Sequence, residues 1–132
     1  MKVVIVGAGQ AGAWVAQRLR SNDPDCTITL VGDEPWAPYE RPPLSKASIA
    51  CDGGAPQFIL SEEQAAKLGV RLLLGTRVIA IDRARKHVVT HEHGEMPYDK
   101  LVIATGGSAR RLRVPGNGLP GVWGSICFRC NL

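Results

Sequence analysis

The chain has 132 residues, 45% hydrophobic and 21% charged, which is enough for one globular domain with a buried core. Its net charge of +4 is small and dispersed, which argues against nucleic-acid binding. No stretch approaches the ~18 apolar residues that a membrane-spanning helix needs. The four cysteines are too few and too unevenly spaced for a secreted disulfide scaffold, so we expect a cytoplasmic protein with reduced thiols.

The first 32 residues predict a strand, a helix and a second strand. Residues 2–6 form a short apolar run typical of a buried strand, and the pattern then changes to helical spacing from Gln10. The helix is expected to bury Ala11, Val15, Ala16 and Leu19, and to expose Gln17, Arg18 and Arg20. Residues 26–32, CTITLVG, predict the second strand, which should run parallel to the first after a right-handed crossover.

The next segment, residues 33–46, contains four prolines and no periodicity, which indicates an irregular loop. A short helix is expected to follow from Leu44. Further along, Ser61 is a good amino-terminal helix cap, and Gly69 is expected to end that helix.

The remainder predicts an α/β fold with a small antiparallel addition. VRLLLG predicts a short strand, and the following residues predict an antiparallel hairpin with its turn near Gly94. Residues 98–105 predict a further buried strand that leads into Gly106 and Gly107. The strand sequences VVIVG, TITLV and LVIAT are all typical of burial on both faces of a parallel sheet.

A glycine-rich turn connects the first strand to the first helix. GAGQAG places Gly7, Gly9 and Gly12 in the pattern G-x-G-x-x-G, where they permit a tight turn, close approach of a pyrophosphate and close helix packing. The helix amino terminus then offers free N–H groups to phosphate. Asp33 follows the second strand, 21 residues after Gly12, where a carboxylate can bind ribose hydroxyls. This setting predicts a dinucleotide site; the alternative is a glycine-rich turn in an unrelated α/β domain.

Four segments together resemble the amino-terminal part of the FAD-dependent ferredoxin, rubredoxin and putidaredoxin reductases, within the pyridine nucleotide–disulfide oxidoreductase superfamily. They are GAGQAG, VGDE, YERPPLSK and YDKLVIATGG, of which RPPLSK is the most specific. The resemblance implies a Rossmann-like FAD-binding fold with a parallel sheet and a small antiparallel hairpin layer. It covers residues 1–121, interpreted as a partial FAD/NAD(P)-binding domain, and leaves residues 122–132 as an atypical tail.

The resemblance also implies which residues bind FAD, and it assigns neither a catalytic residue nor a metal ligand. The pyrophosphate turn would be formed by Gly7, Ala8, Gly9, Ala11 and Gly12. Asp33, with Glu34 as the second choice, would bind the adenosine ribose, and Val78 would contact the adenine through its backbone. Arg41 and Lys46 would lie along the pyrophosphate and the flavin edge, unless they are simply solvated surface charges. Ala104, Thr105 and Gly106 would pass beneath the cofactor.

The implied reaction is hydride transfer from NAD(P)H to FAD, followed by single-electron transfer to a ferredoxin-type iron–sulfur protein. Cys51 stands alone where disulfide reductases carry two cysteines, so a dithiol cycle is not expected. The chain shows one dinucleotide fingerprint and no visible nicotinamide site, which leaves its status as an enzyme open. The ending WGSICFRCNL departs from the family pattern, as a truncated or frame-shifted end would. The alternative function is therefore a truncated, non-catalytic nucleotide-binding remnant.

Two further patterns raise the possibility of a metal site. Cys127-x-x-Cys130 could be half of a zinc site or a redox pair, but a tetrahedral site needs four ligands, so we interpret it as incidental. His87, His91 and His93 alternate, which would place them on one face of a strand. No matched ligand lies nearby in the sequence, and we interpret them as solvated histidines.

Overall fold

The computed structural model describes residues 1–41, 57–107 and 113–120. Its elements in chain order are β1 (Lys2–Val6), α1 (Gln10–Asn22), β2 (Thr27–Val31), α2 (Glu62–Lys67), β3 (Val70–Leu73), β4 (Val78–Asp82), β5 (His87–Thr90), β6 (Gly94–Pro97) and β7 (Lys100–Ile103). The described residues fall into two compact units. The first unit, Met1–Tyr39 with Phe58–Gly106, contains all these elements. No helix in the described part of the chain is long and apolar enough to cross a membrane.

A parallel sheet with the strand order β3-β2-β1-β7 forms the centre of the first unit. β1 pairs in parallel with β2 on one side and with β7 on the other, and β3 pairs in parallel with β2. Helix α1 connects β1 to β2, as the change in hydrophobic period predicts. The predicted α/β class and the parallel sheet are confirmed.

The side chains on the two faces of β1 belong to two separate hydrophobic clusters. Val3 and Ile5 pack with residues of α1 and α2, whereas Val4 and Val6 pack with Val88 of the antiparallel strands. Successive side chains of a strand point to opposite faces, so a continuous apolar run is what a doubly covered strand requires. The unit therefore has three layers, with the helices and the antiparallel sheet on opposite faces of the parallel sheet.

The antiparallel layer contains three strands in the order β4-β5-β6, one more than the predicted hairpin. Gly94 has a φ of +67° and begins β6, and the turn before it spans residues 91–93. The sequence GEMP carries a weak strand signal because glycine and proline occupy its ends. Pairing of Met96 with Val88 of β5 stabilises this strand through tertiary contacts that the local sequence does not show.

The last parallel strand, β7, is shorter and more exposed than predicted. It spans Lys100–Ile103 rather than residues 98–105, and Ile103 is 64% exposed. Burial on both faces is only partial for this strand: Val102 and Leu101 are partly buried against the two opposite clusters, and among the described residues the strand has a neighbour only on its β1 side. Asp99 joins its start to β1, since the Lys2 amide donates to Asp99 Oδ2 at 2.6 Å and thereby lowers the pKa of this carboxyl.

The buried face of α1 differs in part from the prediction. Gly12, Ala13 and Ala16 are buried, and Val15 and Leu19 are partly buried against the core. Ala11 is exposed, contrary to expectation, because the buried face runs through Gly12, Ala13 and Ala16, and Ala11 lies outside that face. The small side chains of the buried face allow the helix to lie close to the sheet.

Two polar residues of α1 bind neighbouring backbone instead of pointing only into water. Gln17 donates to the carbonyl of Ile59 at 3.0 Å, and Arg20 donates to the carbonyls of Leu68 at 2.7 Å and Gly69 at 3.0 Å. Sequence periodicity does not reveal such contacts, because the acceptors lie more than 40 residues away. These hydrogen bonds connect α1 to the segment that contains α2.

Helix α2 has the predicted ends. Ser61 Oγ accepts from the amide of Gln64 at 3.2 Å, and Gln64 Oε1 accepts from the amide of Ser61 at 2.9 Å, which is a capping box. Gly69 follows the helix with a φ of +62°, a conformation that glycine adopts without strain. The predicted cap at Ser61 and the predicted end at Gly69 are confirmed.

The described residues of the second unit are Glu40, Arg41, Gln57, Gly107 and residues 113–120. The Glu40 amide donates to the carbonyl of Gln57 at 2.8 Å. Residues 113–120 form consecutive turns without a strand or helix. The predicted helix from Leu44 and the predicted tail, residues 122–132, lie outside the described residues.

Candidate functional site

The four parallel strands all end at one edge of the sheet. The chain passes from β1 to β2 and β3 on one side of β1, whereas β7 lies on its other side. In open parallel sheets, ligands bind beyond the carboxyl ends of the strands, where the direction of the connections reverses. The junction of β1 and β7 is such a point, and Gly7 and Ala104 follow these two strands there.

Gly7 makes the turn out of β1 and could not be replaced without strain. Its amide donates to the carbonyl of Val31 at 2.7 Å, and its φ is +114°. A Cβ at this position would lie 2.1 Å from the carbonyl oxygen of Ala104, which itself follows β7. Both the backbone conformation and the close approach of Ala104 therefore require glycine here.

Gly12 brings α1 onto this turn. A Cβ at position 12 would lie 2.0 Å from the carbonyl oxygen of Gly7 and 3.1 Å from Leu30 Cδ1 of β2. The third glycine of the motif thus allows close packing of the helix on both the turn and the sheet, which is the structural role predicted for it.

Gly9 is the amino-terminal cap of α1, and its backbone does not by itself demand glycine. Its φ of −94° and ψ of −166° are extended values that any residue adopts. Gly9 has no side chain with which to cap the helix, and the first turn contains no acidic residue. The first amides of a helix lack intrahelical acceptors and lie at the positive end of the helix dipole. This end fits an anionic group such as a pyrophosphate, for which an absent Cβ leaves room.

The two acidic residues after β2 have different surroundings. The Asp33 side chain is 61% exposed, and its Oδ2 lies 3.6 Å from Arg77 Nη2. Glu34 is half-buried, and its Oε2 accepts from the hydroxyl of Tyr39 at 2.7 Å, with Tyr39 only 3% exposed. Asp33 is therefore the carboxylate with its oxygens turned to solvent, whereas the Glu34 carboxylate holds a buried tyrosine.

Gly32 is a site residue that the sequence analysis missed. A Cβ at position 32 would lie 2.5 Å from the Cβ of Ala8, so the glycine that ends β2 makes room for the second residue of the glycine-rich turn. The available signal was the glycine at the end of TITLVG. Ala8 is partly buried against the core, and its contact with position 32 holds the turn beside β2.

The segment after β3 adds a second group that the sequence analysis missed. The amide of Gly75 donates to the carbonyl of Glu34 at 2.9 Å, and the amide of Thr76 donates to the carbonyl of Gly32 at 2.8 Å. Arg77 follows directly and reaches Asp33. The sequence offered no signal for this pairing, because only the tertiary fold brings the ends of β2 and β3 together.

The remaining predicted positions of the first unit border the same edge. Val78 begins β4, is half-buried, and pairs with Thr90 next to a register shift between Val78 and Ala80. Such a bulge leaves backbone unpaired and is frequent beside binding sites. Thr105 and Gly106 follow β7 and are exposed, and nothing lies within 4 Å of a Cβ placed at Gly106. The roles of these residues stay predictions.

The remaining predicted positions do not belong to the described part of the first unit. Arg41 belongs to the second unit, and Lys46 lies outside the described residues, as do Cys51, Cys127 and Cys130.

The three histidines do not share one strand face as the alternation predicted. β5 ends at Thr90, so His87 lies in the strand, whereas His91 and His93 lie in the exposed turn that follows. His87 Nδ1 is 2.7 Å from the carbonyl oxygen of Arg85. Within residues 1–41, 57–107 and 113–120, no three His, Cys, Asp or Glu side chains could hold one metal ion.

The expectation of a single G-x-G-x-x-G is wrong as a literal match, because residues 116–121 also fit the pattern. Its described part lies in turns, where the amide of Leu119 donates to the carbonyl of Gly116 at 3.1 Å. It does not open a helix within residues 113–120. The match therefore lacks the setting that makes this pattern a dinucleotide site.

Comparison with known proteins gives a consistent result. Residues 1–129 match the family described as pyridine nucleotide-disulphide oxidoreductase. A probable ferredoxin reductase, CtmF of Castellaniella defragrans, is 46% identical over 92% of this chain and 30% of its own length. The crystal structure of a ferredoxin reductase from Rhodopseudomonas palustris is 35% identical with a TM-score of 0.90, covering 98% of this chain and 32% of that one. The crystal structure of a covalent putidaredoxin reductase–putidaredoxin complex is 42% identical with a TM-score of 0.79. The match covers 87% of this chain and 28% of that one.

The similarity therefore extends over most of this chain but over less than a third of each of these relatives. The resemblance to the amino-terminal part of ferredoxin-type reductases, stated from four sequence segments, is confirmed.

Proposed function

This chain belongs to the pyridine nucleotide-disulphide oxidoreductase family, and we propose on that basis that it is the FAD-binding portion of an NAD(P)H-dependent reductase. The family uses FAD and NAD(P)H. The observation that supports FAD binding by these residues is the amino terminus of α1, which has glycine as its cap residue and follows the glycine turn at the junction of β1 and β7. Asp33 follows the neighbouring strand β2 and supplies a carboxylate that is 61% exposed.

Each proposed contact follows from a feature of the edge of the sheet. The amides after Gly9 would bind the pyrophosphate, because they have no intrahelical acceptors and no acidic neighbour in the first turn. Asp33 would accept hydrogen bonds from the adenosine ribose. We prefer it to Glu34, whose carboxylate already holds the hydroxyl of Tyr39.

The flavin end of the site rests on fewer observations. Ala104, Thr105 and Gly106 would pass beneath the cofactor, and Arg41 and Lys46 are proposed for the pyrophosphate and the flavin edge by resemblance. Bound FAD would accept a hydride from NAD(P)H and pass electrons on singly. The partner proposed for this chain's protein is a ferredoxin-type iron–sulfur protein, supported by relatives named as a ferredoxin reductase and a putidaredoxin reductase.

Replacement of Asp33 tests this proposal. Asp33→Ala should weaken FAD binding by roughly ten- to a hundredfold, because two charge-assisted hydrogen bonds to ribose hydroxyls are lost. The measurement is a titration that follows the quenching of FAD fluorescence and the yellow colour of the purified protein. Glu34→Gln is the control, since an amide oxygen can still accept from Tyr39, and it should bind FAD nearly as well as the parent chain. A parent chain that binds no FAD would refute the proposed function, and a loss with Glu34→Gln alone would reassign the ribose to Glu34.

A second candidate function is a nucleotide-binding module without turnover, favoured because one dinucleotide fingerprint opens a helix among the residues that the structure describes. Hydride transfer needs the nicotinamide stacked on the flavin in a defined geometry. Gly7–Gly12 cannot hold both dinucleotides at once. The 132-residue chain alone should therefore oxidise NADH or NADPH no faster than free FAD when ferricyanide is the electron acceptor. Turnover well above that of free FAD, from monomeric protein, would contradict this prediction.

A further inference from the structure

We propose that Arg77 is a positioning residue for Asp33 and thereby contributes to binding of the adenosine half of the cofactor. The inference rests on the proposed function, since it concerns the same site. It assigns a role to a residue that the sequence motif does not include. The contact that points to it is the ion pair between Arg77 Nη2 and Asp33 Oδ2, at 3.6 Å.

The backbone brings the two residues together independently of their charges. Residues 75–76 donate two amide hydrogen bonds to carbonyls that flank Asp33, from Gly75 to Glu34 and from Thr76 to Gly32. Thr76 is 2% exposed, so this connection is part of the packed fold. Arg77 is the next residue, so the sheet edge places its backbone within reach of Asp33, and its Nη2 lies 3.6 Å from Asp33 Oδ2.

The backbone of Arg77 is also held from its other side. Its amide donates to Glu92 Oε2 at 3.1 Å, and its carbonyl accepts from the amide of His91 at 3.0 Å. These contacts fix the backbone of Arg77, so its side chain starts from a set position near Asp33. A fixed cation can restrict the orientations of a carboxylate that is otherwise 61% exposed.

The length of the ion pair leaves Asp33 available to a ligand. A separation of 3.6 Å exceeds that of a good hydrogen bond, so the guanidinium does not occupy the acceptor sites that ribose hydroxyls would use. Arg77 would also offset the repulsion between the Asp33 carboxylate and a negatively charged pyrophosphate.

Both side chains are mostly exposed, 72% for Arg77 and 61% for Asp33, and such pairs add little to the stability of a fold. Ligand binding is therefore the property that this pair should affect most.

A double-mutant cycle on the full chain, with FAD as the ligand, tests the proposal. Arg77→Gln alone should weaken FAD binding by about three- to tenfold, and Arg77→Lys should restore most of the affinity. In the Asp33→Asn background, Arg77→Gln should change the affinity by less than about twofold, because its effect passes through Asp33. The effect of Arg77→Gln should also shrink at about 0.5 M salt, where an exposed ion pair is screened.

Arg83→Gln is the matched control, because it removes the same charge from the exposed turn residue that follows β4, about 20 Å from Arg77 along the chain. It should bind FAD like the parent chain. Equal losses from Arg77→Gln in both backgrounds, or equal losses from Arg83→Gln, would overturn the role of Arg77 while leaving FAD binding intact. A parent chain without FAD affinity would overturn both this inference and the proposed function.

Discussion

Gly7→Ala is expected to unfold most of the protein, with a loss of about 3–5 kcal/mol in the free energy of unfolding. Two costs combine at this position. A φ of +114° is strained for any L side chain, and the new Cβ would lie 2.1 Å from the carbonyl oxygen of Ala104. The carbonyl of Ala104 cannot move away at low cost, because the amide of Ala104 donates to the carbonyl of Val6 at 2.7 Å. Urea denaturation followed by circular dichroism measures the loss.

Two other glycines separate the contributions to this effect. Gly75 has a φ of +63° but nothing within 4 Å of a Cβ, so Gly75→Ala should cost only about 1–2 kcal/mol from backbone strain. Gly107 has open space and no strained φ, and Gly107→Ala should be nearly neutral. If Gly7→Ala were no worse than Gly75→Ala, the close approach of Ala104 to the turn would be refuted.

Gly9→Val is expected to abolish FAD binding while the protein stays folded. The extended φ and ψ of Gly9 are open to valine, so the cost to the fold should be about 1 kcal/mol, as for a poor residue at a helix cap. The branched side chain would occupy the space through which a pyrophosphate reaches the first amides of α1. We expect at least about a hundredfold loss of affinity in the FAD titration.

Gly118→Val controls for the general effect of replacing glycine with valine, because a Cβ there meets nothing within 4 Å. This variant should bind FAD as tightly as the parent chain. If Gly9→Val retained full FAD affinity with an unchanged circular dichroism spectrum, the cofactor would have to bind elsewhere than at the glycine turn.

Local patterns predicted the elements that carry strong local signals. The strand–helix–strand unit, the cap at Ser61 and the glycine after α2 all depend on residues close together in the chain. Prediction failed where long-range pairing decides structure. β6 has a weak strand sequence and forms because it pairs with β5, and β7 has a strong apolar sequence but lies at an edge of the described sheet.

For the candidate site, the residue pattern alone predicts that a glycine turn joins a buried strand to a helix and that a carboxylate follows the next strand. These features are local, because hydrophobic period and glycine spacing act within about 30 residues. The difference between the two carboxylates depends on the fold, since the hydroxyl of Tyr39 donates to Glu34 whereas the Asp33 side chain is 61% exposed. Only the tertiary structure placed Arg77 beside Asp33 and Ala104 against Gly7, because parallel strands distant in the chain end at the same edge of one sheet.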